Sequence, residues 1–286
     1  MRTKIANLIR KVNYKINYWA TPIYERLPLW CFPKQNQRFK AYSVGMPKTG
    51  TTSIHIIFSD KYRSGYETEN RFVVYKILAL AQGKINKNEF SQYIKRRDRR
   101  LGLEMDSSTL NYFLLDILLS EFEEAKFILP IRDCYSWLDS YINHNLARPY
   151  FRQHWSKSWT VKWNNFRFKA DQFEYAKEEK ILADNGLYTL DGYLSYWMEH
   201  NSQILAKVPA ERLFVVKTKE INQNIPRIED FLGITPGSLP RNVRGNVGSQ
   251  KFHILSQIDQ DFLEAKANFH CKPLMDKYFP EITGFK

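Results

Sequence analysis

The chain has 286 residues, and its 43 Lys+Arg against 30 Asp+Glu give a formal net charge of +13. That is enough chain to bury a proper core in one large domain or two small ones, and enough basic excess to admit an anionic small molecule, nucleic acid or a membrane face as partner. Two classes are excluded: the scattered cysteines, Cys31, Cys134 and Cys271, form neither a metal spacing nor a disulfide framework, and no apolar run is long enough to span a bilayer.

The N-terminus lacks the apolar core and small-residue cleavage site of a signal peptide, so a reducing, cytoplasmic compartment is expected. Residues 1–19 predict an amphipathic helix, with Ile5, Leu8, Ile9, Val12, Ile16 and Trp19 at helical spacing beside Arg2, Lys4, Arg10, Lys11 and Lys15. Such a helix either lies on an anionic membrane surface, giving peripheral membrane contact, or docks on the core. Thr21-Pro22, Leu27-Pro28 and Phe32-Pro33 break regular structure, so residues 1–37 read as a helix and connector and residues 38–286 as the main domain.

Residues 39–45 suit a buried strand ending at Gly45. Residues 46–52 form an irregular loop, because Pro47 lacks a donor and Gly50 permits a tight backbone, and residues 53–58 continue as an apolar helix. Residues 61–70 predict a short strand and turn, and residues 71–81 and 88–98 helices. The second helix ends in the basic run Lys95-Arg96-Arg97-Asp98-Arg99-Arg100, read as a solvated face. Residues 101–106 predict a strand with Ser107-Ser108 at its carboxyl end, and residues 111–122 a helix. Residues 125–133 form an apolar run of the kind buried in a parallel sheet. Helices over residues 137–146 and 191–208 flank an aromatic-rich helical insertion, residues 148–188, expected to act as a lid. A strand over 212–217, a helix over 225–232, a loop over 235–248 and a mostly helical tail complete the chain. The alternation indicates an α/β fold: a single P-loop-like domain with a central parallel sheet flanked by helices. Ligands in such sheets bind beyond the carboxyl ends of the strands, where the loop after Gly45, the serines after Asp106 and Arg132 all fall.

Gly45 and Gly50 have the spacing of a Walker A loop, whose amides and helix N-terminus suit a phosphate. The next position, however, holds Thr51 instead of the lysine that reaches β/γ-phosphates, and the cation comes early, at Lys48. Where P-loop NTPases end the corresponding strand in a magnesium-binding Asp, this chain has Arg132, which suits a second phosphate. The segment Pro47-Lys48-Thr49-Gly50-Thr51-Thr52-Ser53 resembles the 5′-phosphosulfate loop of the sulfotransferases that use 3′-phosphoadenosine 5′-phosphosulfate (PAPS). The segment from Arg132 to Ser140 resembles their 3′-phosphate motif. The resemblance implies that residues 48–53 hold the 5′-phosphosulfate and that Arg132 and Ser140 grip the 3′-phosphate. Arg244-Gly245 loosely matches a third nucleotide segment. No metal is required, and a bacterial-type enzyme is implied.

Sulfuryl transfer needs a cation at the bridging oxygen, a task that falls to Lys48, and a general base for the acceptor's proton. Glu67 is the first candidate base, by a partial likeness to other sulfotransferases, and Asp106 the second, with Glu104 nearby. Each also suits an ion pair. His55 reads as a core or supporting histidine, His144 as facing the acceptor and His200 as lying on a helix surface. None has a metal-ligand partner. The resemblance therefore implies PAPS-dependent transfer to a hydroxyl or amine of a small-molecule, glycan or lipid-linked acceptor. The rival readings are a P-loop small-molecule kinase and a non-enzymatic basic protein that binds nucleic acid or membrane. No nucleic-acid partner is expected for the enzyme.

Overall fold

The computed structural model describes residues 23–24, 27–148, 159–241, 243 and 250–285. The expected helix over residues 1–19 and the pair Arg244-Gly245 lie outside the described residues, as do residues 149–158 of the aromatic insertion.

Five parallel strands form the centre: β1 (Ala41–Ser43), β2 (Ser64–Tyr66), β3 (Met105–Ser107), β4 (Lys126–Ile131) and β5 (Leu213–Lys217), in the order β2-β3-β1-β4-β5. Every residue of β1 is buried, as a central strand covered on both faces must be. The two-residue side-chain period sorts the sheet into two cores. Ala41, Met105, Ile128 and Val216 meet α1 (Thr51–Ser59) and the short helix Ile225–Leu232. Tyr42, Phe127 and Leu129 meet α2 (Asn70–Ala81), α3 (Lys87–Leu101) and α4 (Leu115–Glu121).

A third core joins α5 (Cys134–Leu146), α7 (Lys180–Asp184), α8 (Leu190–Lys207) and α10 (Gln260–Tyr278), while α6 (Trp159–Arg167) sets Trp163 in the second core and α9, the Ile225–Leu232 helix, belongs to the first. Its packing centres on Trp137, Tyr141, Tyr193 and Trp197 between α5 and α8, closed by Leu263 and Ala267 of α10. Among the described residues no helix is long and apolar enough to cross a membrane.

Two sequence expectations need correction. The strand expected over residues 101–106 starts only at Met105, because Leu101 ends α3 and Gly102 caps it with φ 55. The basic run at the end of α3 is not a solvated face. Lys95 pairs with Glu121, Arg97 with Asp106, Asp98 with Lys40 and Arg100 with Glu69, while Arg96 donates to Leu27 O. These charges tie α3 to the sheet edge and to the chain entering it.

Candidate active site

The loop between β1 and α1 is shaped by contacts to its carbonyls. Trp137 Nε1 donates to Pro47 O (2.9 Å), Arg132 Nη1 to Lys48 O (3.2 Å), Thr218 Oγ1 to Thr49 O (2.7 Å) and Ser107 Oγ to Thr51 O (2.8 Å). With its carbonyls engaged by the fold, the loop's donor side is the start of α1, whose first amides have no intrahelical acceptor by construction. Thr49 is buried, and its amide and hydroxyl both donate to Met46 O, so it holds the turn. Lys48 has φ 70 and Gly50 φ 106, both left-handed. A Cβ on Gly45 would sit 2.5 Å from Pro130 Cγ, so close approach requires glycine there, while Gly50 is required by its left-handed φ.

Thr52 Oγ1 donates to Tyr66 OH (3.0 Å), which fastens the first turn of α1, with Ser53 beside it, to the end of β2.

The cations gather at the same end of the sheet. Asp133 caps α5 by accepting from Ser136 N (2.7 Å), which fixes the turn that carries Arg132 out of β4. Arg132 Nε donates to Ser136 Oγ (2.9 Å). Ser140 lies one helical turn beyond Ser136, half-buried on α5. Burial lowers the pKa of Lys48, and the charges of Arg132 and Arg148 lower it further. Burial also lowers that of Arg132, partly offset by Asp133 and Asp139. Among the described residues, Lys48, Arg132 and Arg148 have no carboxylate at ion-pair distance, unlike the cations of α3. Arg148 Nη1 donates to His144 Nδ1 (2.8 Å). Burial, then Arg148, Lys48 and Arg167, push the imidazole down to about 3 and keep it neutral.

Glu67 follows β2 with φ 46, a strained conformation for a side-chain-bearing residue. Its carboxylate accepts from Ser108 Oγ (3.0 Å) and Thr109 N (3.0 Å), beyond the carboxyl end of β3. Burial raises its pKa, and these donors only partly counter that. Tyr66 lies within electrostatic reach of both Glu67 and Arg148, so carboxylate and cations share one end of the sheet.

The other carboxylates are placed differently. Asp106 points to the sheet face opposite α1, where Arg97 Nη1 donates to it (2.6 Å) in a buried pair. Glu104 precedes β3, at the amino end, and accepts from Arg38 and Arg63, which hold it down at about 2 against the opposing effect of burial. Both act as counter-ions within the fold. Asp106→Ala is therefore expected to strand the Arg97 charge and cost about 3–5 kcal/mol of unfolding free energy. Urea denaturation checks this, and a loss below about 1 kcal/mol, within the range of exposed ion pairs, would return Asp106 to the candidate bases.

His200 is fully buried instead of exposed: Nε2 meets Val44 O (2.8 Å) and its ring stacks on Tyr112 at 4.2 Å. It braces the end of β1 from behind. His55 Nδ1 meets Ser64 Oγ (2.9 Å), a supporting contact between α1 and β2. Sequence reasoning missed Ser136, Trp137, Arg148 and Thr218 as parts of the site. The Asp133-to-Ser136 spacing, that of a helix cap, was the one signal available.

Residues 42–235 match the sulfotransferase domain family. Comparison with curated proteins gives no match. Similar solved structures include a sulfotransferase from Alicyclobacillus acidocaldarius, at 13% identity over 85% of this chain and 96% of that one, with a TM-score of 0.47. The sulfotransferase domain from the curacin biosynthetic pathway follows at 12% identity over 83% and 91%, TM-score 0.39. That of the Synechococcus PCC 7002 olefin synthase stands at 13% over 83% and 89%, TM-score 0.37. With the family match spanning both β1 with its loop and β4 with Arg132, this chain belongs to the sulfotransferase domain family.

Proposed function

We propose that this sulfotransferase takes its sulfuryl group from PAPS and passes it to a hydroxyl or amine of an acceptor, without a metal. One observation carries the reading. Three half-buried or buried cations, Lys48, Arg132 and Arg148, converge on a loop built to receive a phosphate, and no carboxylate among the described residues pairs with them. A lysine depressed by two neighbouring guanidinium groups, with no counter-ion at hand, is suited to a ligand bearing several negative charges. The residues fit a nucleotide phosphorylated at both ends of its ribose. Lys48, Thr51, Thr52 and Ser53 would hold the 5′ end, with Thr49 and Gly50 shaping the loop. Arg132 and Ser140 would hold the 3′-phosphate, with Ser136 fixing the guanidinium. Arg244 and Gly245 remain proposed nucleotide contacts.

Glu67 takes the acceptor's proton as the bond from the acceptor oxygen to sulfur forms. Lys48 meets the charge that builds on the bridging oxygen as its bond to sulfur breaks. Arg148 and neutral His144 border the same space. The described part of the aromatic insertion, residues 159–188, would cover the acceptor.

A thermal-shift comparison tests the donor. The product nucleotide, 3′-phosphoadenosine 5′-phosphate, at about 100 times its Kd is expected to add about 2.7 kcal/mol of stability, seen as a raised Tm. ATP with Mg²⁺ is expected to give a smaller shift, since Thr51 stands where a triphosphate lysine would be. An equal or larger shift with ATP and Mg²⁺ would favour a kinase and sink the proposal.

A further inference from the structure

Beside this centre lies a second concave feature. A cleft of about 740 Å³ opens between α4, α6 and α8, lined among others by Tyr112, Phe113, Phe166, Arg167 and Tyr196. Its volume suits a small organic ligand, and its walls combine four aromatic rings with polar and charged side chains.

The charges around this cleft divide unevenly. Lys169 pairs with Glu199 at 2.9 Å and Lys207 with Asp116 at 2.8 Å. Arg167, only 7% exposed, has no such partner among the described residues. Its Nη2 donates to the Tyr141 hydroxyl and to Asn164 Oδ1 (2.7 Å), and its Nε is buried without an acceptor. Its ring neighbours are Phe168 at 4.6 Å and Tyr141 and Tyr196 at 5.3 Å. Quadrupoles and phenols soften the burial of a guanidinium but do not neutralise it, and its planar fork is shaped for an oxyanion. Tyr196, in the cleft wall, lies within electrostatic reach of Glu67, so the cleft's inner end approaches the proposed base.

We propose that this cleft seats the acceptor, and that the acceptor is a hydroxylated aromatic bearing a carboxylate, which Arg167 binds while the ring lies among Phe113, Phe166 and Tyr196. The inference rests on the reading of the neighbouring centre as one of sulfuryl transfer. Arg167 sets specificity and takes no part in the bond changes.

The test uses a series of hydroxyaryl carboxylates, p-hydroxyphenylacetate among them, each matched with its methyl ester. Binding is measured by calorimetry on the full chain without donor, and transfer by labelled PAPS. The wild type is expected to bind at least one acid about tenfold or more tightly than its ester. Arg167→Met is expected to bring that ratio close to one. Arg167→Lys, which keeps charge without the fork, is expected to fall between. If no acid in the series is preferred by the wild-type protein, the proposal is overturned, whatever the variants do. A preference that survives in Arg167→Met overturns it as well. Acid-selective binding with no transfer from PAPS would leave Arg167's role standing and remove the donor assignment. Transfer at equal rates to acids and esters would do the reverse.

Discussion

Lys48→Ala is expected to lower kcat by about a hundred- to thousandfold, the effect of removing one preorganised group from developing negative charge. The lysine is held for that role by its backbone: φ 70 at position 48 and the bond from Arg132 to its carbonyl set the direction in which the side chain leaves the loop. The alanine variant keeps those carbonyl contacts, so circular dichroism should show an unchanged fold. A pH series adds an independent reading. Burial and two neighbouring guanidinium groups lower the ammonium's pKa in the free enzyme. The high-pH limb of kcat/KM, which reports the free enzyme, is thus expected below the ordinary lysine range, falling as pH rises through that value. Labelled sulfate moving at the wild-type rate in Lys48→Ala would remove the lysine from the mechanism.

Glu67→Gln is expected to lower kcat by about 10²–10⁴-fold, the usual contribution of a positioned base. Burial favours the protonated form of this carboxyl, which makes it a stronger base than an exposed glutamate once ionised. The sign follows: transfer is lost as pH falls through a pKa raised above the ordinary glutamate value. In Glu67→Gln that acid limb should disappear while nucleotide binding persists. An acid limb retained unchanged in the variant would assign the proton transfer to another group. Asp106 is the poorer alternative because it is paired with Arg97 on the sheet face opposite α1.

The legible parts of this molecule were those written in adjacent residues. Pro47, Gly50 and the glycine at the end of β1 announce an irregular loop between a strand and a helix, and the apolar run into Arg132 announces a buried parallel strand. Helix α9 matches its expected range, closed by Gly233 at φ 69. What stayed hidden depends on residues distant in sequence. Nothing local shows that Arg97 is consumed by Asp106, or that His200 is buried against Val44 O. A charge run looks the same whether it meets water or counter-ions brought in by folding. A strand register of one residue, which turned Asp106 to the face opposite α1, is likewise set only when the strands pair.

The clasp on the loop after β1 has a temporal meaning. Thr218, whose hydroxyl holds both Thr49 O and Ile131 O, is 169 residues downstream of the first of these. On a translating ribosome the cradle's own sequence emerges well ahead of its fastener, and closing so large a span is among the slower steps of assembly. A partly synthesised polypeptide accordingly carries the letters of the cradle without its contour. Capture of the proposed nucleotide would then double as a sign that β5 has reached its berth.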